Sequence, residues 1–304
     1  MAQRTKEQLR AEEKRKTITY ERAEIIINER FKKRFGYYLN WDNPKTFSEK
    51  VNFTKLYNPT KLKTMLTDKV TVRDWVKERI GEGYLIPQIG VYDSFDDIDF
   101  SKLPKEYVIK CNHDSGSTKI IDKDHPLDKE ALREKYDFFF KRNLATMNFE
   151  MHYRDIVPKI IVEEKIGDNI KDFKFFCFNG EPKFIKIDRD RFIKHQVSYY
   201  SIDGKLLPFY ELLYGKDEST DNKMPKKINE MVEICKKLSK GFDFIRVDLY
   251  EVNGKVYFGE LTFTSNNGMS PFEPKQYELE TAKYWKLNTR NRKRLLHKKL
   301  MLDR

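Results

Sequence analysis

The residues best suited to chemistry lie near the end of the chain, in the segment FIRVDLYEVNGKVYFGELTF. The dipeptide Asn253-Gly254 predicts a tight turn between two strands, and the turn allows Asp248 and Glu260 to lie close together across the ladder. Two carboxylates converging on a sheet suit Mg²⁺, which also takes oxygen ligands from substrate phosphates. Arg246 lies two residues before Asp248 and therefore projects from the same face. This pattern predicts a phosphoryl or acyl-phosphate site. The alternative is that both acids only pair with nearby lysines.

A second motif, VIKCNHDSGSTK, joins a strand to a polar loop. Lys110 ends the apolar strand and could point into a cleft. The small, hydrogen-bonding residues of the loop are Asn112, Ser115, Gly116, Ser117 and Thr118. Backbone amides freed by Gly and Ser turns can bind phosphate oxygens, although the Walker pattern GxxxxGK[ST] is absent and a plain hairpin loop is an equal alternative. His113 is a candidate substrate contact, but an isolated histidine is more often a loop or core residue.

Two further segments place charges on apolar strands. IVEEKIG runs into Glu163 and Glu164, where backbone groups could read an adenine edge and a carboxylate could bind ribose. The alternative for this segment is an ordinary strand end. In DFKFFCFNG, Lys174 lies among aromatic residues, where a charge is costly unless it finds a partner. A phosphate would serve as that partner, and so would Asp172 or Asp188.

A third group of charges lies upstream. Thr67-Asp68 predicts the start of a helix over residues 69–79. Lys69 and Arg73 would then occupy positions i and i+4 on one helix face, where they could hold a carboxylate substrate. A solvated helix face is the alternative.

Helices and antiparallel strands must position these residues. Helices are predicted over 4–34, with Ala23, Ile26, Ile27 and Phe31 near one face, over 47–57, 69–79, 128–141 and 226–240, and from 283 onward. Strands are predicted over 107–111, 119–122, 158–163, 172–179, 182–188, 196–201, 244–251 and 255–261. Because the turns Asn179-Gly180 and Asn253-Gly254 favour hairpins, the predicted class is α+β rather than a doubly wound βαβ fold.

The composition fits a folded protein of about two domains. Of the 304 residues, 39% are hydrophobic and 14% aromatic, and 60 Lys and Arg outnumber 48 Asp and Glu, for a net charge of +12. Such a surface attracts nucleotides, nucleic acid, anionic lipid or acidic glycans. The alternative is that the charge only keeps the protein soluble. The cysteines Cys111, Cys177 and Cys235 show no metal-ligand spacing, and their odd number suits a reducing compartment. A charged N-terminus and the lack of an apolar run of about 20 residues lead us to expect a cytoplasmic protein.

Taken in order, the motifs VIKCNHDSGS, VEEKI, DFKFFCFNGEP and RVDLY…YFGELTF resemble those of the ATP-grasp superfamily. More closely, they resemble the TupA-like ATP-grasp proteins of bacterial surface-polysaccharide clusters. The resemblance covers most of residues 35–275. It implies an ATP-grasp fold with the nucleotide between two α+β subdomains, over 105–170 and 171–280, after a helical N-terminal substrate region over 1–104 and before a basic helix over 281–304.

The resemblance also implies roles for single residues. The residues expected to contact ATP are Lys110, Asn112, Ser115, Gly116, Ser117, Glu163, Glu164, Ile166, Asp172 and Lys174, with Asp168 as a second candidate for the ribose. Lys110 and Lys174 would contact the phosphates. Glu163 and the backbone to Ile166 would read adenine, and Asp172 or Asp168 would contact the ribose. Asp248 and Glu260 would hold Mg²⁺, and Arg246 would steady the transferred phosphoryl group. Many superfamily members place Asn two residues after the metal-binding Glu. Here Thr262 takes that place, with Asn266 and Asn267 further on, so the third protein ligand stays open.

By analogy with the family, we expect an ATP-dependent carboxylate–amine ligase that acts through an acyl phosphate. Its acceptor would be a uronic acid of an acidic glycan, presented as a polysaccharide, a sugar nucleotide or a lipid-linked sugar, and its donor an amine. A glycan kinase on the same fold is one alternative. A nucleic-acid-binding protein is another, suggested by the basic stretch RNRKRLLHKKL, although no nucleic-acid motif accompanies it. The same stretch could instead contact an anionic membrane at its inner face.

Overall fold

The computed structural model describes residues 17–168, 170–189, 196–215 and 224–302. Its α-helices are α1 (Tyr20–Phe35), α2 (Phe47–Tyr57), α3 (Lys61–Thr67), α4 (Val72–Ile80), α5 (Lys129–Phe140), α6 (Leu144–Asn148), α7 (Ile228–Ser239), α8 (Gln276–Ala282) and α9 (Arg290–Leu295). Its strands are β1 (Thr17–Thr19), β2 (Gln88–Tyr92), β3 (Tyr107–Cys111), β4 (Lys119–Ile121), β5 (Ile160–Glu164), β6 (Asp172–Phe178), β7 (Glu181–Arg189), β8 (Gln196–Ser201), β9 (Tyr210–Glu211), β10 (Phe244–Val252), β11 (Lys255–Thr262), β12 (Phe272–Glu273) and β13 (Lys299–Met301). The predicted α+β class with antiparallel pairing is confirmed.

The chain divides into two compact units. The first consists of Met1–Thr64, Asn143–Asp155 and Thr264–Arg304, and the second of Met65–Arg142 and Ile156–Phe263. Every predicted site residue lies in the second unit.

The larger sheet of the second unit has the strand order β11-β10-β6-β7-β8. Side chains alternate between its two faces, so Phe173, Phe175 and Cys177 of β6 join Leu238 of α7 in one apolar core. Each fully buried phenylalanine contributes about 1.5–3 kcal/mol to folding. The face away from α7 receives the polar residues of the same strands, including Lys174.

Two Asn-Gly turns set the register of this sheet. The φ angles are 51° and 83° at Asn179-Gly180, and 51° and 75° at Asn253-Gly254. Asn and Gly adopt this left-handed conformation at lower cost than other residues, and hairpins with two-residue turns favour it. The predicted hairpins β6–β7 and β10–β11 therefore form, which brings Lys174 opposite Lys186.

The smaller sheet of the second unit has the order β2-β5-β3-β4, with antiparallel neighbours. Helix α5 packs on it through Leu132 and Tyr136. The Tyr136 hydroxyl donates to Ile109 O at 2.8 Å and to Ser117 O at 3.2 Å, so the helix also holds the loop between β3 and β4. The hydroxyl group of Tyr136 thus links the end of the loop predicted to bind phosphate, at Ser117, to strand β3.

The first unit is built around α2, whose residues are nearly all buried. Thr46 caps its first turn and Glu49 completes a capping box, which explains why the helix begins at Phe47 as predicted. Helix α1 packs Ala23, Ile27 and Phe31 into the same core, as the predicted apolar face requires, while Ile26 is only partly buried.

Three predicted helices need correction. The described part of the helix predicted over 4–34 begins only at Tyr20, because Thr17–Thr19 pair with β13 as a strand; residues 4–16 lie outside the described part. From 283 onward the only described α-helix is Arg290–Leu295, because Lys299–Met301 form the partner strand of that pair. The third helix, predicted over 69–79, starts at Val72.

The late start of this third helix separates Lys69 from Arg73. Asp68 Oδ1 accepts the backbone N–H of Val70 at 2.9 Å, and Thr71 Oγ1 donates to Met65 O at 2.6 Å. Because of these local bonds, residues 68–71 form a turn instead of the first turn of the predicted helix. Lys69 therefore lies before α4, and the two cations do not share a helix face.

Candidate active site

The larger sheet aligns four charged residues in one row. Lys174 of β6 lies opposite Asp248 of β10, and Asp248 lies opposite Glu260 of β11. Lys186 of β7 lies opposite Lys174 on its other side. Because paired residues on neighbouring strands share a face, this row lies on the side of the sheet away from α7.

Arg246 binds both carboxylates of the row. Its Nε donates to Asp248 Oδ1 at 2.7 Å and its Nη2 to Asp248 Oδ2 at 2.7 Å, so the guanidinium grips this carboxylate with two bonds. The same Nη2 lies 3.0 Å from Glu260 Oε1 and 3.0 Å from Thr262 Oγ1. Thr262, which takes the place of the expected Asn, also donates to Glu260 Oε1 at 2.9 Å.

Lys174 is buried among acids. Its Nζ donates to Asp248 Oδ2 at 2.8 Å and to Asp172, and it lies 3.9 Å from Asp188 Oδ2. Burial alone would lower the pKa of this lysine, but the charges of Asp172 and Asp248 outweigh burial and raise it. Lys174 therefore stays positively charged. Asp172 and Asp188, the two acids that the sequence offers as its partners, both lie beside it.

Glu260 is the more open of the two candidate metal ligands. Its side chain is 37% exposed, whereas that of Asp248 is 1% exposed. Partial burial raises the pKa of Glu260, but the positive charges of Lys69, Arg246 and Lys174 outweigh burial and lower the pKa to about 2. The carboxylate is therefore ionised at neutral pH and faces solvent on the row.

Lys69 joins the row to the loop between β3 and β4. Its Nζ donates to Asp114 O of the loop at 2.7 Å and lies 4.0 Å from Glu260 Oε2. The backbone N–H of Lys69 also donates to Asn112 O at 3.2 Å. The turn before α4 thus brings the predicted phosphate loop next to the candidate metal ligands.

The base of this loop is held by buried side chains. Asn112 Nδ2 donates to Asp68 Oδ1 at 2.9 Å, and its Oδ1 accepts the N–H of Lys159 at 2.7 Å. Ser117 Oγ donates to Asp114 Oδ1 at 2.6 Å and accepts the N–H of Cys111 at 2.8 Å. The roles predicted for Asn112 and Ser117 in ATP binding stay predictions, and both side chains have structural partners.

The tip of the loop is open to solvent. Ser115, Gly116 and Thr118 are exposed, and Gly116 has a φ of 101°, a conformation that suits glycine. His113 is buried instead: its ring nitrogens lie 3.2 Å from Asn112 Oδ1 and 3.1 Å from Phe139 O. Of the loop residues, the exposed tip is therefore best placed to meet a phosphate, and His113 fits the alternative of a core histidine.

Lys110 is tied to Glu163. Its Nζ lies 2.5 Å from Glu163 Oε2, and Arg73 Nη1 lies 3.7 Å from Glu163 Oε1. Arg73 also donates to Ile86 O at 3.0 Å. Glu163 thus fixes two cations, a role beyond the adenine contact predicted for it, and Arg73 already has partners of its own.

Glu164 is the last residue of β5 and lies opposite Tyr107 of β3. Glu164 is exposed, and its N–H donates to Pro87 O at 3.0 Å. Lys165 lies 2.8 Å from Asp122 and 2.6 Å from Asp168, so the carboxylate predicted as an alternative ribose contact has a lysine partner. The adenine role of Ile166 remains a prediction.

Lys186 of the row of charged residues and Glu211 beside it are not predicted from the sequence. Lys186 Nζ donates to Glu211 Oε2 at 2.6 Å, and both side chains are buried. The alternation in PKFIKID and the Asn179-Gly180 turn could have placed Lys186 beside Lys174. Glu211 gives no such signal, because it follows 25 residues later.

The donor set fits a hard divalent cation. Among the described residues, no group of three or more His, Cys, Asp or Glu side chains has the arrangement of a metal site. Asp248 and Glu260 nevertheless offer carboxylate oxygens from opposed positions, and Mg²⁺ commonly uses one or two carboxylates with phosphates and waters as its other ligands. These two acids could therefore hold Mg²⁺ together with a nucleotide.

Several solved ligase structures are similar to the chain. They include D-alanine–D-alanine ligase from Bacillus anthracis complexed with ATP (19% identity, 66% of this chain, 55% of that chain, TM-score 0.38) and D-alanine–D-alanine ligase from Helicobacter pylori (12%, 73%, 62%, 0.39). A third is the ATP-grasp ligase PsnB complexed with minimal precursor (10%, 69%, 55%, 0.39). The chain thus spans 55–62% of the length of these three proteins.

Comparison with curated protein sequences gave no significant match. The family model described as TupA-like ATPgrasp matches residues 49–286, which is more than three quarters of the chain. The chain belongs to the TupA-like ATP-grasp family.

Proposed function

We propose that the protein is an ATP-dependent carboxylate–amine ligase. In its first step a carboxylate oxygen of the acceptor attacks the γ-phosphorus of ATP, the bond to the β,γ-bridging oxygen breaks, and ADP leaves. In the second step an amine attacks the carbonyl carbon of the acyl phosphate and loses a proton, and phosphate leaves. The product is an amide.

The position of Lys69 carries this proposal. One ammonium group contacts Asp114 O in the loop at 2.7 Å and lies 4.0 Å from Glu260 Oε2. The loop between β3 and β4 therefore lies close to Glu260 in the second unit. Amides of the loop can bind phosphate, and the carboxylates of the row can bind a cation. A triphosphate needs both, since its charge must be offset on more than one side.

Each charged residue of the site has a task in this proposal. Lys110 and Lys174 bind phosphate oxygens, and Glu163 and Asp248 keep the two ammonium groups in place. Arg246 stabilises the charge that develops on the transferred phosphoryl group. Mg²⁺ held by Asp248 and Glu260 would supply further charge stabilisation on the phosphates.

For the acceptor we propose a uronic acid of a bacterial surface or capsular polysaccharide. The support is the resemblance to proteins of surface-polysaccharide clusters. A glycan kinase would use the same nucleotide site but would phosphorylate a hydroxyl.

Thermal stabilisation by MgATP tests the nucleotide site. We expect MgATP to raise the melting temperature of the wild type and Glu260→Gln to abolish most of that rise, because the variant loses one carboxylate of the cation site. Glu251→Gln, on the neighbouring strand, is the matched control and should keep the full rise. A wild type without affinity for adenine nucleotides would overturn the proposal.

Product analysis tests the reaction itself. With ATP, an oligouronate and an amino acid, a ligase gives ADP, phosphate and a new amide. A kinase gives ADP and a phosphorylated glycan, and needs no amine. Formation of the phosphorylated glycan alone would exclude the ligase while leaving the nucleotide site intact.

A further inference from the structure

The positive charge of the chain is concentrated in the first unit. That unit contains 27 of the 60 Lys and Arg but only 14 of the 48 Asp and Glu, a net charge of +13. The second unit, which carries the candidate site, has the remaining 33 basic and 34 acidic residues and is nearly neutral. The basic excess therefore belongs to a different part of the molecule from the candidate nucleotide site.

Part of this charge surrounds a two-stranded ribbon. Strand β1 pairs with β13, with Thr17 opposite Met301 and Thr19 opposite Lys299. Leu300 and Leu302 point into the core of the first unit, so Lys299 and Met301, which alternate with them, face solvent. Met301 is 52% exposed, which places an apolar side chain on the same face as a cation.

More cations flank the ribbon. Lys298 is exposed, and its backbone oxygen accepts the N–H of Tyr20 at 3.2 Å. Arg154 Nη1 donates to Met301 O at 3.4 Å. Arg294 is exposed on α9, and the chain just after this helix meets the start of α1, because the Glu21 N–H donates to Leu296 O at 3.2 Å.

Acidic residues offset only part of this charge. Asp155 pairs with Arg154 at 2.9 Å, and Glu21 follows Tyr20 at the start of α1. The exposed cations Lys298, Lys299 and Arg294 show no acidic partner among the ion pairs of the described residues. The ribbon therefore presents a basic surface with an apolar side chain within it.

We propose that the β1–β13 ribbon is a docking surface for an anionic membrane. Lys and Arg near a lipid surface each strengthen binding by roughly fivefold, and an apolar side chain among them can enter the interface. The exposed Met301 favours a bilayer over a soluble polyanion, because a polyanion would gain nothing from a methionine. Contact would be peripheral: within the described part of the chain, no helix has the length and apolar character to span a bilayer.

Vesicle flotation with the full chain tests this docking surface. We expect the wild type to bind vesicles of phosphatidylglycerol and phosphatidylcholine and not vesicles of phosphatidylcholine alone. Lys298→Glu combined with Lys299→Glu should weaken partitioning at least tenfold, since two attractive charges become repulsive. Met301→Ser should weaken it severalfold without changing the net charge.

Lys237→Glu combined with Lys240→Glu is the matched control, because it changes the net charge equally at exposed positions of the second unit. It should leave partitioning within about twofold of wild type. Melting temperatures close to wild type would show that both double variants fold. If both double variants lost vesicle partitioning equally, only the total charge of the protein would matter, and the proposal would be overturned. A lack of preference for anionic vesicles would also overturn it, as would an oligouronate or RNA that binds through Lys298 and Lys299 while vesicles do not.

Discussion

Asp248 lies directly opposite Glu260, and this pairing depends on an irregularity in the ladder between β10 and β11. From the Asn253-Gly254 turn, the register runs as an ordinary hairpin as far as Leu249 and Phe258, and Asp248 then skips Gly259. Without the skip, Asp248 would face Gly259, and Glu260 would point to the other side of the sheet. A β-bulge of this kind re-aims a side chain, which is why bulges occur next to active sites.

Gly259→Ala should therefore disturb the site more than its small size suggests. A Cβ at this position would lie 3.0 Å from Asp248 O and 3.1 Å from the Tyr250 ring, so the ladder must shift. We expect the free energy of unfolding to fall by about 1–3 kcal/mol and MgATP to bind more weakly. Urea denaturation and nucleotide titration measure the two effects.

Gly83→Ala is the control for this change, because no atom lies within 4 Å of its added Cβ and its φ is not left-handed. It should change stability by less than about 0.5 kcal/mol. If both variants bind MgATP like the wild type, the bulge does not position Glu260 for the nucleotide.

Lys174→Met should be costly to the fold as well as to ATP binding. The change leaves Asp172 and Asp248 buried without their shared ammonium group, although Arg246 still holds Asp248. Removing one partner of a buried ion pair costs about 3–5 kcal/mol. Lys255→Met, at an exposed position of β11, should cost less than about 0.5 kcal/mol. Near-wild-type stability of Lys174→Met in urea would mean that the acids have other sufficient partners.

Arg73→Ala should weaken ATP binding although Arg73 itself is not expected to contact the nucleotide. Arg73 holds Glu163, and Glu163 holds Lys110, so loss of the guanidinium frees the carboxylate that positions the lysine. We expect the KM for ATP to rise about tenfold, as is typical when a supporting residue is lost, while the KM for the acceptor stays constant. The two KM values separate this role from the substrate-binding role considered from sequence, which would raise the acceptor KM instead. Arg73→Lys should rescue only in part, because a lysine cannot keep both the contact to Glu163 and the bond to Ile86 O.

Local signals explain how much of this architecture was predictable. The Asn-Gly turns set two hairpins, and the Thr46–Glu49 capping box set the start of α2, because each depends on residues within a few positions. The shared face of Arg246 and Asp248 follows from alternation alone.

Contacts between distant segments could not be predicted in this way. Lys69 meets Asp114 45 residues later, and Lys186 meets Glu211 through a strand of two residues that has no sequence signature. Thr17–Thr19 pair with Lys299–Met301, so two segments predicted as helical form strands, because the partner of each strand lies far away in the sequence. Tertiary pairing of this kind overrides local propensity.

His152 should make stability depend on pH in the mildly acidic range. The residue is 2% exposed, and burial, with a smaller effect from the Lys63 charge, lowers its pKa to about 3. In the unfolded chain its pKa is about 6.5, so between these values the unfolded state binds a proton that the folded state does not. The stability contribution of His152 is therefore complete above about pH 6.5 and is lost as the pH falls toward 3, by up to about 1.4 kcal/mol per pH unit. His152→Gln removes this titration, and urea midpoints from pH 7 to pH 4 should then fall less steeply than in the wild type, even if the variant is less stable at pH 7. Parallel curves for the two proteins would show that the folded state protonates His152 as readily as the unfolded chain does.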